Sequence, residues 1–402
     1  MVKNTGTTAV NQEKLFEWET VKLGDICTYQ NGRALERYIS NEGDYRVVSI
    51  GNYSTDGKYL KSESYISKKY KNEIKQYILN KNDLTMILND KTSTGEILGR
   101  VLLIEENDSY IFNQRTMRLI VNKENVIPLY LYYKINSNHI HNKIFKMSKP
   151  GTQIYINTDD VINLKINIPN DIEEQRKIAT VLSDMDDLIE SLEKIIEKKK
   201  KIKQGTMQQL LTGEKRLPGY NKKWNHYKLN DLFSISAGKD LNIDDFSKEK
   251  NNIFKYPIYS NSLAKKGLYG YSSSYSYGES AITITARGTI GNANYRNGSF
   301  SAIGRLLVLM PMDKINLILV SEIINHCVNF RLESTGVPQL TAPKVEEYTI
   351  YIPTDPEEQL AIAEILSDMD VEIEALEEKL EKYKKLKEGM MQELLTGRIR
   401  LV

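Results

Sequence analysis

Two segments of the chain carry apolar residues at helical spacing over roughly four heptads each. Asp171 and Asp355 can cap the two helices at their N-termini, and Thr-Gly pairs at 212–213 and 396–397 can end them. The pattern predicts two helices of about 40 residues, each roughly 60 Å long. The apolar positions are Ile178, Val181, Leu182, Met185, Leu188, Ile189, Leu192, Ile195, Ile196 and Ile202 in the first segment, and Ile362, Ile365, Leu366, Met369, Ile373, Leu376, Leu380, Tyr383 and Leu386 in the second.

The two helical segments are copies of each other. Residues 173–217 and 357–401 align without a gap at an offset of 184, and more than half of the positions are identical. A single helix of this length is not stable alone in water, so each copy needs a partner. The simplest partner is the other copy, and a chain that returns through a compact lobe pairs the two antiparallel. The alternative is that each helix lies on its own lobe.

The first helix carries an additional apolar column. Leu188 and Ile195 occupy this column where the second helix has Glu372 and Lys379. The difference predicts that the first helix is buried on more sides than the second, with Ile195 in the interior.

The segments that precede the two helices predict mixed α/β lobes in the same order. Short β-rich runs occur in both, with a helix after Pro128 in the first lobe and one over about 314–328 in the second. The predicted fold class is α/β (α+β), with two globular lobes, a pair of long antiparallel helices that separates them, and a pseudo-twofold internal repeat. The lobes are residues 1–170 and 218–353, and the helical segments are 171–217 and 354–402. Both lobes open with matching residues, which are Trp18, Lys22, Leu23 and Asp25 in the first and Trp224, Lys228, Leu229 and Asp231 in the second.

The charge of the chain differs between the lobes and the helical segments. Residues 1–170 carry 23 Lys and Arg against 19 Asp and Glu, and residues 218–353 carry 15 against 11. The first helical segment carries 10 against 10, and the second carries 7 against 13. The lobes are therefore expected to meet phosphates, and the helices are expected to meet protein.

The sequence offers no convincing catalytic or metal site. It contains no P-loop, no GxGxxG after a strand and no Pro-Pro pair, which is part of the usual amino-methyltransferase tetrad. The four histidines lack metal-ligand spacing. Cys27 and Cys327 cannot form a disulfide framework, and the apolar runs are too short for a membrane helix. A cytoplasmic protein with no membrane partner is expected.

These features together resemble the specificity subunits of bacterial type I restriction–modification enzymes. The resemblance rests on the tandem arrangement, the shared lobe openings and the Ile-Pro…Glu-Glu-Gln entry into each long helix. Leu-Ser-Asp-Met-Asp in both helices, Gln-x-Leu-Leu-Thr-Gly at both ends and the stretch 284–291 in the second lobe add to it. It extends from about residue 14 to the C-terminus, and the helical segments are its most specific part.

The resemblance implies that each lobe is a target recognition domain that reads one half of a bipartite site in double-stranded DNA. The two helices then form an antiparallel spacer that sets the gap. Two methyltransferase subunits dock on this scaffold, and restriction subunits are a further partner. S-adenosylmethionine, ATP and Mg belong to those subunits, so no cofactor and no catalytic residue is expected in this chain. The alternative is a coiled-coil adaptor that binds only proteins and has no DNA specificity.

Residues in glycine-rich turns and at strand ends are the predicted DNA contacts, because loops on a rigid scaffold carry function. Arg115 and Arg305 are expected in comparable places, since each opens an apolar strand late in its lobe. The alternative for each residue is a structural surface charge. The predicted contacts are Arg33, Lys91, Arg100, Gln114 and Arg115 in the first lobe, and Lys239, Tyr259, Asn261, Arg287, Thr289, Arg305 and Gln339 in the second.

Overall fold

The computed structural model describes residues 17–91, 94–149, 153–331 and 338–401. The chain divides into two compact units, each of which contains one lobe and part of both long helices. Unit 1 comprises Met1–Leu192 and Lys379–Val402, and unit 2 comprises Glu193–Glu378.

Unit 1 contains the strands and short helices of the first lobe. The strands are β1 (Trp18–Lys22), β2 (Cys27–Asn31), β3 (Ile39–Ser40), β4 (Tyr45–Val48), β5 (Tyr65–Ile66), β6 (Leu84–Ile87), β7 (Asn89–Asp90), β8 (Val101–Leu103), β9 (Tyr110–Phe112), β10 (Thr116–Val121), β11 (Ile154–Tyr155) and β12 (Lys165–Pro169). The helices are α1 (Leu23–Ile26), α2 (Lys71–Ile74), α3 (Pro128–Asn136), α4 (Asn138–Met147), α5 (Thr158–Ile162) and the long α6 (Ile172–Leu211), which continues into unit 2.

A four-stranded antiparallel sheet, in the order β2-β10-β6-β8, forms the centre of the first lobe. A second four-stranded sheet has the order β3-β5-β4-β9, and β7 pairs with β11. Strand β1 pairs with β12, in a register that places Trp18 opposite Pro169. The opening strand of the lobe therefore lies beside the strand that leads into α6.

Unit 2 repeats this order in the second lobe. Its strands are β13 (Trp224–Lys228), β14 (Phe233–Ala237), β15 (Tyr256–Tyr259), β16 (Leu268–Ser272), β17 (Ala281–Ile284), β18 (Ala293–Arg296), β19 (Ser301–Ala302), β20 (Leu307–Pro311) and β21 (Thr349–Pro353). Its helices are α7 (Leu229–Leu232), α8 (Leu317–Cys327), α9 (Ala342–Glu346) and the long α10 (Pro356–Leu394). The main sheet has the order β14-β20-β17-β18, and Trp224 of β13 is opposite Pro353 of β21. The predicted mixed α/β repeat is confirmed.

The two long helices have the predicted length, with 40 residues in α6 and 39 in α10. At the start of α6, the Asp171 carboxylate accepts a hydrogen bond of 2.9 Å from the Glu173 amide, and Pro356 opens α10. Gly213 and Gly397 follow the ends of the helices in left-handed conformation, with φ of +71° and +77°. A side chain is rarely tolerated there, which explains the repeated Thr-Gly ending.

Within each unit, α6 and α10 run antiparallel. In unit 1, Glu174 bonds to Arg400 beyond α10, whereas Asp186, further along α6, bonds to Lys387 at 2.7 Å. In unit 2, Lys203 bonds to Asp370, and Arg216, after the end of α6, bonds to Glu358. The partner number falls as the residue number rises, as antiparallel pairing requires.

Each long helix also packs on the lobe that precedes it. Pairing of the two helices and packing of each helix on its own lobe, which the sequence offers as alternatives, therefore occur together. Ile178 and Leu182 of α6 lie in the core of the first lobe together with Leu394 and Leu395 from the end of α10. The core of the second lobe likewise holds Ile362 and Leu366 of α10 with Leu210 and Leu211 from the end of α6.

The additional apolar column of the first helix is not buried. Leu188 is 40% exposed and Ile195 is 43% exposed, whereas Ile189, Leu192 and Ile196 are buried. The prediction that α6 is covered on this third side is therefore wrong. The buried stripe of α6 runs through Ile189 and Ile196, and the neighbouring column faces outward.

In each unit, a buried glutamate at the start of one long helix pairs with an arginine in the segment that follows the other long helix. In unit 2, the Glu358 carboxylate accepts two hydrogen bonds from the Arg216 guanidinium, at 2.5 and 2.6 Å, and one from the Trp224 indole at 3.3 Å. In unit 1, Glu174 accepts two from Arg400, at 2.5 and 2.7 Å. Both Glu side chains are completely buried, whereas the Arg216 and Arg400 side chains are 30% exposed, so the carboxylate half of each ion pair is shielded from solvent. Glu174 and Glu358 belong to the repeated Glu-Glu-Gln motif, and Arg216 and Arg400 belong to the Arg-Leu pair that ends each repeat copy. Trp224 is the tryptophan that opens the second lobe.

Candidate DNA interface

In unit 1, two turns of the first lobe lie side by side. Arg33, just after β2, forms a parallel bridge with Asn113, which follows β9. Arg115, the last residue before β10, has a left-handed backbone with φ of +66°. Non-glycine residues rarely adopt this conformation, and such strain is concentrated at functional sites. The Arg33 and Arg115 side chains are both exposed at this edge of the central sheet.

Unit 2 places the equivalent residues in the same way. Lys239, just after β14, forms a parallel bridge with Ile303, and the Gly304 amide donates to the Lys239 carbonyl at 3.1 Å. Arg305 lies two residues before β20 and has a left-handed backbone with φ of +63°. The structure therefore places Arg115 and Arg305 in comparable positions, each in a left-handed turn beside a basic residue from the first glycine turn.

Asn261 connects this turn of unit 2 to a second loop. Its amide nitrogen donates to the Gly304 carbonyl, and its amide oxygen accepts from the Ala286 N–H, both at 2.7 Å. The next residue, Arg287, donates to the Gln339 side chain at 2.9 and 3.2 Å. The Thr289 carbonyl accepts from the Thr285 hydroxyl at 2.5 Å, which closes the loop.

All seven predicted residues of the second lobe thus belong to one connected cluster, in two different roles. Lys239, Arg287, Thr289 and Arg305 are exposed and available to a ligand. Asn261 uses both ends of its amide inside the protein, so it positions the loops. Tyr259 is half-buried, and the Arg296 guanidinium lies 3.8 Å from the centre of its ring. The remaining member, Gln339, is the acceptor for Arg287.

In the first lobe the predicted residues are brought together less completely. Gln114 is exposed and donates to the Glu36 carboxylate at 2.6 Å. Arg115 donates to Gln153 at 3.4 Å, and Gln153 directly precedes β11, the strand paired with β7. Lys91 directly follows β7 and is exposed, so it borders the same region.

Arg100 is predicted to contact DNA, but its side chain is buried in the first lobe. It is 8% exposed, and its guanidinium donates to the Asn136 carbonyl at 2.5 Å. Burial lowers the pKa of this guanidinium. Gly99 turns the chain inward with φ of +73°, and Arg100 then closes the end of α3. It holds the lobe together and does not belong to the surface cluster.

Two lysines that the sequence does not predict as contacts lie beside the cluster of the second lobe, although the Lys266 ammonium also lies 3.7 Å from the Glu374 carboxylate of α10. Lys265 and Lys266 both have left-handed backbones, with φ of +50° and +52°. Their loop begins just after Asn261 and is closed by a 2.8 Å hydrogen bond from the Ser260 amide to the Gly267 carbonyl. The available signal was a Lys-Lys-Gly turn inside the tyrosine-rich segment. Most of those tyrosines pack on other rings, as Tyr256 does on Tyr275 and Tyr277 on Phe300.

In the part of the chain that the structure describes, no group of three or more His, Cys, Asp or Glu side chains could hold a metal ion. Among the same residues, no helix has both the length and the apolar character that crossing a membrane requires.

Comparison with known proteins decides the family. The model of the type I restriction modification DNA specificity domain matches residues 16–204 and again residues 221–385. The chain belongs to this family. The two matches each cover one lobe and most of the helix that follows it, so the internal repeat is a repeat of the specificity domain.

Curated relatives of this specificity protein span most of its length. A protein provisionally named as the MjaX specificity subunit of Methanocaldococcus jannaschii is 27% identical over 419 residues, which covers 96% of this chain and 94% of the relative. A provisional type I specificity subunit of Mycoplasma pneumoniae is 26% identical over 351 residues, covering 83% and 85%. The crystal structure of a type I S subunit from M. genitalium has the same fold, with a TM-score of 0.66, 18% identity and 98% coverage of both chains.

Proposed function

We propose that this specificity protein reads a bipartite DNA site inside a type I restriction–modification complex. Each unit reads one half with its turn cluster, which is built around Arg33 and Arg115 in unit 1 and around Lys239 and Arg305 in unit 2. Two methyltransferase subunits dock on it and supply S-adenosylmethionine and the methyl-transfer chemistry. Restriction subunits, which use ATP and Mg, are a further partner. The chain itself is the non-catalytic recognition subunit.

The observation that carries the proposal is the repeated pair of basic turns. Arg33 with Arg115, and Lys239 with Arg305, occupy equivalent positions in the two lobes. Arginine and lysine bind phosphates and the acceptor edge of guanine. The neighbouring residues differ between the lobes, as two unlike half-sites require. A coiled-coil adaptor without DNA specificity is not favoured, because the specificity domain matches both lobes.

The proposal is tested by mapping methylated adenines in cells that carry this chain and its methyltransferase. We expect a single two-part motif with an unread gap. The affinity of the purified complex for a duplex with this motif should fall steeply as salt rises, because phosphate contacts release counterions. A continuous motif, or an affinity that is insensitive to salt, would overturn the proposal.

Replacing Arg305 or Arg115 by alanine is expected to relax one half of the motif at a time. Each change should weaken binding to the matching half-site by about 1–3 kcal/mol if the side chain reads a base. Methylation maps and duplexes altered in one half measure the effect. Arg398→Ala is the control, since Arg398 is an exposed arginine after α10, paired with Glu393. If Arg305→Ala and Arg115→Ala relax the same half, the two-lobe assignment is wrong.

A further inference from the structure

Unit 1 contains a cleft of about 290 Å³ between the first lobe and α6. Four tyrosines line it, together with carboxylates from the lobe and from the helix. The lining includes Tyr110, Tyr132, Tyr133, Glu105, Asp186 and Asp187. The cleft is separate from the turn cluster, because none of the predicted DNA contacts lines it.

The lining of the cleft carries net negative charge. Its carboxylates are Glu105, Asp186 and Asp187, and its cation, Lys58, already lies 3.9 Å from the Asp56 carboxylate. Asp186 is satisfied, since it accepts from the Tyr133 hydroxyl at 2.8 Å and pairs with Lys387 at 2.7 Å. Asp187 and Glu105 form no ion pair with any residue that the structure describes. An uncompensated pair of carboxylates repels DNA phosphates and attracts a cation.

The tyrosines of the cleft already lie close to cations of the chain itself. The Lys387 ammonium is 5.6 Å from the centre of the Tyr133 ring, and the Arg46 guanidinium is 5.3 Å from that of Tyr110. Burial raises the pKa of Tyr132, and the charges of Asp186, Asp56 and Glu105 raise it further. The Tyr132 phenol therefore stays neutral, and the carboxylates around it favour positive charge.

We infer that this cleft receives a basic side chain, an arginine or a lysine, of a methyltransferase subunit, against the tyrosines and the carboxylates of Asp187 and Glu105. The inference rests on the proposed function, which supplies the partner. A protein is the expected occupant because α6 forms one wall of the cleft, and the helical segments lack the positive excess of the lobes. Partly desolvated cation–π and charge-assisted contacts are strong enough to anchor such an interface.

The described residues of unit 2 do not provide the same tyrosine and carboxylate at the positions that correspond to Tyr133 and Asp187. The Ile127 amide donates to Gln175, and the Asn316 amide donates to Gln359, both at 3.0 Å, so these residues correspond in the two lobes. Six residues further on, unit 1 has Tyr133 and unit 2 has Glu322. The repeat offset of 184 likewise places Val371 where unit 1 has Asp187. The cleft therefore distinguishes the two methyltransferase positions.

The test compares the full chain with its Asp187→Asn and Glu105→Gln variants in binding the methyltransferase subunit. The matched control is Asp184→Asn, which removes the same charge from an exposed residue of α6 outside the cleft. We expect each cleft variant to weaken one of the two binding steps about tenfold at low salt, as loss of a contact to a charged group does. Native mass spectrometry should show accumulation of a complex with one methyltransferase, and Asp184→Asn should remain within twofold of the wild type.

Two outcomes would overturn the inference. One is wild-type affinity and stoichiometry in both cleft variants. The other is unchanged assembly together with saturable binding of arginine amide or spermidine that Asp187→Asn abolishes, because the occupant would then be a small free cation. Binding of the isolated chain to a duplex with the methylated motif is measured in parallel. It should be the same in all variants, so a failure of the cleft is distinguishable from a failure of DNA recognition.

Discussion

Replacing Arg216 by methionine is expected to lower the free energy of unfolding of unit 2 by about 3 kcal/mol or more. The Glu358 carboxylate would lose its two bonds to the guanidinium and keep only the 3.3 Å bond from the Trp224 indole. The Glu358 side chain is completely buried and the Arg216 side chain is only 30% exposed, so the carboxylate would be left largely desolvated without its partner. Urea unfolding, followed by tryptophan fluorescence from Trp18 in unit 1 and Trp224 in unit 2, measures the change.

Two further variants show whether the effect comes from the buried charge. Arg216→Met combined with Glu358→Leu removes both charges and should recover most of the lost stability, as replacement of a buried pair by apolar residues does. Arg398→Met removes a guanidinium from an exposed pair and should have little effect. Equal stability of Arg216→Met and the wild type would show that the ion pair does not stabilise unit 2.

Replacing Ile196 of α6 by aspartate is expected to lower the stability of the chain strongly, whereas the same change at the neighbouring Ile195 is expected to have little effect. Ile196 is 6% exposed, so Ile196→Asp buries an unpaired carboxylate and should cost several kcal/mol, about 3 or more. Ile195 is 43% exposed, so Ile195→Asp should leave the folded chain close to wild-type stability. Both variants have the same composition and helix propensity, and thermal unfolding of the purified chain compares them directly. Equal losses would mean that the outward orientation of Ile195 is wrong.

Local patterns were sufficient for the elements and for the repeat. The spacing of apolar residues predicted α6 and α10 nearly to their ends, because helix caps and glycine stops act over a few residues. The glycine turns at Arg33 and Lys239 were also predictable. Each sits in a short segment whose backbone requirements can be read from neighbouring residues, and Arg115 and Arg305 precede strands that their own composition indicates.

Contacts between distant residues account for the errors. Arg100 is buried because it bonds to the Asn136 carbonyl, 36 positions away, which no local pattern indicates. The sequence does not predict Lys265 and Lys266 because their left-handed backbones arise from closure of the loop between Ser260 and Gly267. The exposure of Leu188 and Ile195 depends on which face of α6 the lobe and α10 cover, and heptad spacing leaves that choice open.

The sequence alone determined the secondary structure, the repeated architecture and the family, since these depend on spacing, capping and motifs along the chain. Only the tertiary structure decided which charged residues share a surface and which are buried. Burial and partnership depend on residues far apart in sequence, such as Asn261 with Gly304 and Ala286, or Glu358 with Arg216. The desolvation of a charge depends on all the groups packed around it, so the residues of the DNA interface and of the cleft can be identified only from the tertiary structure.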